Sequence, residues 1–229
     1  AELWVAMMAE LGYDRFYAQG GDFGASVSTI LGWRHARHLL GVHLNYIPSS
    51  YQPLLAPGEK LTEEETAARR ASAEWGEAHG AYAHVQRSEP QTLSYALDDS
   101  PVGLAAWLLQ RFRDWSDCGG DLTSRFPLDD LLAQVTLYWL TGTIGSSMRL
   151  YGETARQPLH LAAGERVSAP CAVARFPLEE PFPPRRWVER GYHLVRWTEM
   201  PRGGHFAALE EPELLADDVR AFAASRRAG

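Results

Sequence analysis

The chain is poor in cysteine, in lysine and in long apolar runs, and each scarcity removes a class of protein. Its only cysteines, Cys118 and Cys171, stand far apart and without metal-ligand spacing. Two free or buried thiols are therefore expected in place of a disulfide framework, which points to a reducing compartment and a cytoplasmic location. No apolar stretch reaches the roughly 18 residues that a membrane span requires, and no basic segment followed by an apolar one opens the chain, so no membrane segment is expected. Positive charge is also in deficit, since 22 Lys and Arg face 29 Asp and Glu for a formal charge of -7. With no basic stripe to offset that balance, nucleic acid is not an expected partner. Lys60 is the single lysine, which reads as a GC-rich coding sequence and carries no mechanism.

What is present is material for a sizeable core: 229 residues, 45% hydrophobic, with 8 Trp, enough for one domain with an insertion. The organising stretch is Arg15-Phe16-Tyr17-Ala18-Gln19-Gly20-Gly21-Asp22-Phe23-Gly24-Ala25, which reads as strand, tight turn and helix. Asp22 stands at the tip of the turn, where the pattern small-x-nucleophile-x-small lifts one side chain above a sheet. Glycines on both flanks are expected because the turn forces close backbone approach. A carboxylate at that tip attacks alkyl carbon and leaves an ester, so an epoxide or alkyl halide is the expected substrate. The other reading is a solvated Asp capping the helix behind it.

The rest of the chain fits a sheet built around that turn. Leu3, Trp4, Met7, Met8 and Leu11 recur at helical spacing before Gly12, and residues 39–47 read as a second buried strand, so strand, helix and strand form a parallel βαβ unit. His35 and His38 have H-x-x-H spacing with no further ligand candidate, so no metal is expected. From Tyr51 the texture turns to Pro, Gly and charge, and a helical block follows. Thr62-Glu63-Glu64-Glu65 is a capping box, Ser100-Pro101 is a helix start, and Leu104, Leu108, Phe112 and Trp115 form one apolar stripe. Leu131, Leu132, Val135, Tyr138 and Trp139 form another. Strands return at 169–174 and 192–197, and a last helix near Glu211-Pro212 carries Leu214, Leu215, Val219 and Phe222 on one face. The expected organisation is a core of residues 1–50 and 156–229 with a helical lid at 51–155.

Nucleophile, acid and histidine in that order is the chain order of the α/β-hydrolase fold. Asp22, Glu179 and His205 each follow a strand in that order, with Glu180 competing for the acid's place. The acid's task is to orient His205 and stabilise its imidazolium. Gly203 and Gly204 let the chain turn and present His205 toward the elbow.

Gln19-Gly20-Gly21-Asp22-Phe23-Gly24, Pro90-Gln91-Thr92-Leu93, Asp98-Asp99-Ser100-Pro101-Val102-Gly103-Leu104-Ala105-Ala106-Trp107, Thr141-Gly142-Thr143-Ile144-Gly145-Ser146-Ser147 and Arg202-Gly203-Gly204-His205-Phe206-Ala207-Ala208 closely resemble the microsomal-type epoxide hydrolases, which include the juvenile hormone epoxide hydrolases. The resemblance spans nearly the whole chain. It implies Asp22 as nucleophile, His205 as base, and Glu179 over Glu180 as acid, because the family's acid follows Phe-Pro-x. It also implies two lid tyrosines acting on the epoxide oxygen, at Tyr82 and Tyr151, which by themselves read as ordinary packing residues. The backbone N–H of Phe23 is the implied oxyanion donor. A small epoxide and water are the implied reactants, with no cofactor.

A full-length relative carries further strands ahead of this stretch and a His-Gly-x-Pro loop giving a second oxyanion donor, a motif this sequence lacks. The expected fold is thus an N-terminally truncated α/β-hydrolase, a parallel sheet of about four strands with an inserted helical lid. The strand at 15–19 would offer an open edge, through which the chain could oligomerise, and the chain alone would be weakly active or inactive. Two rivals stay open: a haloalkane dehalogenase, which shares the Asp elbow but often has Trp where Phe23 stands, and a non-catalytic fragment or interaction module. Ser26 falls inside the elbow helix, which argues against a serine esterase.

Overall fold

The computed structural model describes residues 1–56, 58–162 and 164–227. The chain divides into two compact units, Ala1–Arg70 with Leu159–Gly229, and Ala71–Pro158. In chain order the first unit contains α1 (Glu2–Glu10), β1 (Phe16–Gly20), α2 (Asp22–Arg34), β2 (Leu39–Leu44) and the start of α3 (Glu63–His79). The second contains the rest of α3, then α4 (Ala81–Ser88), α5 (Pro90–Asp99), α6 (Pro101–Trp115), α7 (Leu128–Thr141) and α8 (Ile144–Arg156). The chain then returns to the first unit with β3 (Val167–Arg175), α9 (Arg185–Glu189), β4 (Tyr192–Glu199), α10 (Ala207–Glu210) and α11 (Pro212–Arg227).

The four strands lie in the order β1-β2-β3-β4, and every neighbouring pair is parallel. Gly20 stands opposite Leu44, Val42 opposite Cys171, and Val173 opposite Trp197. β2 is almost wholly buried, as a strand covered on both faces should be. α2 covers one face through Ala25 and Leu31, and Phe222 of α11 closes on the other. Gly41 makes that closure possible, since a Cβ there would stand 2.5 Å from the Phe222 ring. A buried polar tie reinforces α11: Asp218 Oδ2 lies 3.0 Å from His43 Nε2, while its Oδ1 accepts from Arg196 Nε and Thr198 Oγ1, each at 2.8 Å. Burial alone would raise the Asp218 carboxyl, but these hydrogen bonds hold it down at about 2.

The apolar pattern on α1 does not face the core: Leu3 is 85% exposed and Leu11 62%, whereas Ala1 and Val5 pack against the sheet cluster. The helix has the expected period, but its small, β-branched side makes the close contact. The second compact unit begins at Ala71. The Tyr51 hydroxyl donates to the Trp187 carbonyl at 3.0 Å, and Glu65 takes two hydrogen bonds from Arg190, at 2.6 and 3.0 Å. These contacts, together with partly buried Leu54 and Leu61, bind residues 51–70 to the sheet unit despite their polar texture.

Within the helical unit, Leu97, Leu104, Val135, Ile144 and Met148 form the buried centre. Ser100 Oγ accepts from the Gly103 N–H at 3.1 Å with Pro101 at the first helical position, which fixes where α6 starts. The capping box opens α3, Thr62 N–H donating to Glu65 Oε2 at 2.8 Å and Glu65 N–H to Thr62 Oγ1 at 3.2 Å. Leu132, counted above with an apolar stripe, is 47% exposed while Leu131 is buried. Among the described residues no helix is long and apolar enough to cross a membrane.

Candidate active site

β1 ends at Gly20, and the chain reverses through Gly21 into α2. Asp22 takes φ 45, the one positive φ of a non-glycine residue among those described. Asp is among the few side chains that tolerate this left-handed region, and a strained tip residue is the mark of a nucleophile elbow. A Cβ on Gly20 would stand 2.2 Å from the Gly24 carbonyl oxygen, and one on Gly21 would stand 2.8 Å from Asn45 Nδ2. Neither position admits a side chain. Gly24 differs from the expectation, because a Cβ there would meet nothing within 4 Å. The turn uses the Gly24 carbonyl, against which Gly20 must fit, and not the missing side chain. Phe23 follows in the first turn of α2, at the positive end of the helix. Ser26 lies one turn further in, away from the tip.

His205 is delivered by the loop after β4. Gly203 takes φ 102 there, and a Cβ on it would stand 2.8 Å from the buried Phe176 ring. Glu210, at the end of α10, holds the loop from beneath: its carboxylate accepts from the Gly204 N–H at 3.0 Å and the Phe206 N–H at 2.9 Å. His205 Nε2 then lies 2.9 Å from Asp22 Oδ2, and its Nδ1 lies 2.9 and 3.1 Å from the two oxygens of Glu179. Tyr46 sets its ring edge-on to the imidazole, centroids 6.1 Å apart.

Glu179 and Glu180 leave β3 in opposite senses. Glu179 is buried against His205, whereas Glu180 reaches Arg175 at 2.9 Å and accepts from the Phe182 N–H at 3.2 Å. Burial raises the Glu179 carboxyl, opposed by its hydrogen bond with His205. Burial pushes the His205 imidazole down, yet the hydrogen bonds to Asp22 and Glu179 prevail and bring it up to about 10. The two acidic side chains that flank His205 thus favour the protonated form of its imidazole.

In the helical unit, Tyr82 of α4 and Tyr151 of α8 meet edge to face, ring centroids 6.0 Å apart and planes at 86°. Trp115 stands 5.0 Å from Tyr82, and the Arg111 guanidinium carbon lies 4.9 Å from the Tyr82 ring centroid. His35 ends α2, and His38 bonds to Arg37 and to the Asp14 carbonyl. Sequence reasoning missed Glu210, Tyr46 and Arg111. A carboxylate five residues past a loop histidine could have drawn attention to Glu210; nothing local marks the other two.

No family model matches the chain. Relatives do: Epoxide hydrolase 1 of Sus scrofa is 37% identical over 252 residues, an alignment that takes in 97% of this chain. This chain is a homologue of the epoxide hydrolases. Juvenile hormone epoxide hydrolase 2 of Ctenocephalides felis is 33% identical over 236 residues, covering 93% of the chain. Among solved structures, juvenile hormone epoxide hydrolase from the silkworm Bombyx mori matches with a TM-score of 0.81 at 27% identity, over 98% of this chain and 58% of that one. The Aspergillus niger epoxide hydrolase matches with a TM-score of 0.80 at 28% identity, over 98% and 56%. The parallel sheet and its helices are thus part of an α/β-hydrolase fold. The chain spans about half the length of the curated relatives it matches, 54% of the pig protein and 50% of the flea protein.

Proposed function

We propose that the chain carries the hydrolytic centre of an epoxide hydrolase and works through a covalent ester. The observation that bears most weight is His205 held 2.9 Å from both Asp22 and Glu179. In the first step an Asp22 oxygen attacks an epoxide carbon, one C–O bond of the ring breaks, and a proton from the Tyr82–Tyr151 pair neutralises the forming alkoxide. A phenol suits this task because, with an ordinary value near 10, it stays protonated at pH 7 until an alkoxide develops. The product of the step is a 2-hydroxyalkyl ester of Asp22 and a tyrosinate.

Esterification cancels the Asp22 charge, and with it one of the two anions that keep His205 protonated. The imidazole can then release its proton and serve as a base, its orientation kept by Glu179. A water deprotonated by His205 adds to the ester carbonyl, the Phe23 N–H donating to the resulting oxyanion, and the intermediate collapses to free carboxylate and a vicinal diol. Proton return to the tyrosinate closes the cycle, the sum being epoxide plus water to diol. On this reading His205 is idle as a base until alkylation switches it on.

The test is the intact mass of His205→Gln protein exposed to styrene oxide. A species heavier by one epoxide, absent when Asp22→Asn is added, is the expected result; a folded protein without adduct would sink the proposal. Chloride released from a haloalkane would instead favour the dehalogenase reading. Buried, unpaired Cys118 and Cys171 support a cytoplasmic setting.

A further inference from the structure

Arg111 sits among rings where carboxylates would be the usual company. Its guanidinium carbon lies 4.9 Å from the Tyr82 ring centroid and 5.5 Å from that of Trp115, and its side chain is only 17% exposed. One Nη bonds to Asp114 at 3.4 Å, while the buried Nε has no hydrogen-bond partner among the described residues. A side chain needed for packing alone could be Leu or Met and would leave no buried donor unmatched. The position holds a permanent cation despite that cost.

We propose that Arg111 is a positioning residue for Tyr82, its charge over the ring making the phenol a stronger proton donor to the alkoxide of an opening epoxide. This rests on the reading of Tyr82 given above. A cation over a phenol face interacts more strongly with the ring as the oxygen gains negative charge, so its effect grows along the reaction coordinate and favours the transition state over the ground state. Asp114, on Arg111's own helix, is paired with Arg111 itself, and His84 and Arg87 on Tyr82's helix bond to each other at the surface.

Two readouts test the assignment. With 13Cζ-labelled tyrosine, the Tyr82 resonance, assigned by its loss in Tyr82→Phe, should titrate about one pH unit higher in Arg111→Met than in the parent and shift little in Arg111→Lys, a tenfold change in proton affinity. An unchanged midpoint in folded Arg111→Met overturns the proposal, and Arg111→Gln carries the same comparison should the Met variant not fold. In stopped-flow alkylation by styrene oxide, Arg111→Met should slow ester formation about tenfold, leave ester hydrolysis unchanged, and add nothing to Tyr82→Phe. A further slowing in the double variant overturns it, because Arg111 would then act elsewhere. If Tyr82→Phe alone alkylates at the parent rate, the role of Tyr82 fails, while the titration still decides whether Arg111 acts on the ring.

Discussion

The two units hold their polar groups by opposite means. In the sheet unit, buried charges are tied to one another and to the backbone: His205 between Asp22 and Glu179, Glu210 under two loop amides, Asp218 under three donors, Arg190 on Glu65 and Glu59. In the helical unit Tyr82 and Tyr151 pack ring against ring with each other and with Trp115, beside the Arg111 guanidinium. Buried charge networks are costly to break, because the surviving partner is left uncompensated. Ring packing degrades more gently. The sheet unit should therefore respond to substitution in an all-or-none way and the helical unit in graded fashion.

The largest effect should come from Asp22→Asn, which removes the attacking oxygen and should lower ester formation with styrene oxide about ten-thousandfold, read as adduct mass in the His205→Gln background. Asn also tolerates the left-handed backbone, so the elbow itself should be kept. Next comes Glu65→Ala. With Glu65 fully buried and the Arg190 side chain only 8% exposed, loss of the carboxylate should cost about 3 kcal/mol in urea unfolding. Hydrogen bonds from Arg190 hold the Glu65 carboxyl down at about 2 despite its burial, so acid should not release this contact until well below pH 4. In the helical unit, Tyr151→Phe should slow alkylation only about tenfold, since Tyr82 remains to donate, and should leave urea unfolding within about 0.5 kcal/mol of the parent. A stability loss as large as that of Glu65→Ala would break the comparison between the units.

The pH dependence of stability should also divide them. His205 is raised in the folded protein above its ordinary value of 6.5 to about 10. Its contribution is thus fully present below pH 6.5 and is lost as pH rises from there toward 10. Urea midpoints measured across that window should fall in the parent and fall less in His205→Gln.

The elbow was legible in the sequence because backbone geometry admits few residues: Gly20 and Gly21 are demanded by contacts under 3 Å, and a lone Asp between strand and helix has nowhere else to go. His205 was legible for a related reason, its place after a strand and two glycines. Gly24 looked equally constrained, yet local pattern cannot tell a glycine whose carbonyl is used from one whose missing side chain is used. The apolar period of α1 gave its secondary structure but not the face that packs, since Leu3 and Leu11 point outward while Ala1 and Val5 point in. Tyr82 and Tyr151 were invisible to spacing, being distant in sequence and brought together only by the packing of α4 on α8. Resemblance alone named them. Arg111 and Glu210 escaped both routes, because what distinguishes them is a ring beneath one and two amides above the other.

The smallest effect is the most exacting for the comparison, because it concerns two identical side chains one residue apart. Glu179 and Glu180 share composition, charge and loop, and differ only in the direction the chain gives them after β3. Glu180 has a side chain 50% exposed and pairs with Arg175 at 2.9 Å, itself partly solvated, a contact worth less than about 1 kcal/mol in water. Its bond to the Phe182 N–H is likewise replaceable by solvent. Glu180→Gln should leave both unfolding and ester hydrolysis near the parent values, whereas Glu179→Gln should slow hydrolysis of the Asp22 ester and let it accumulate by mass. Equal slowing in the two variants would mean that orientation of His205 is shared along the loop, and the sharp division between buried and solvated carboxylate would give way.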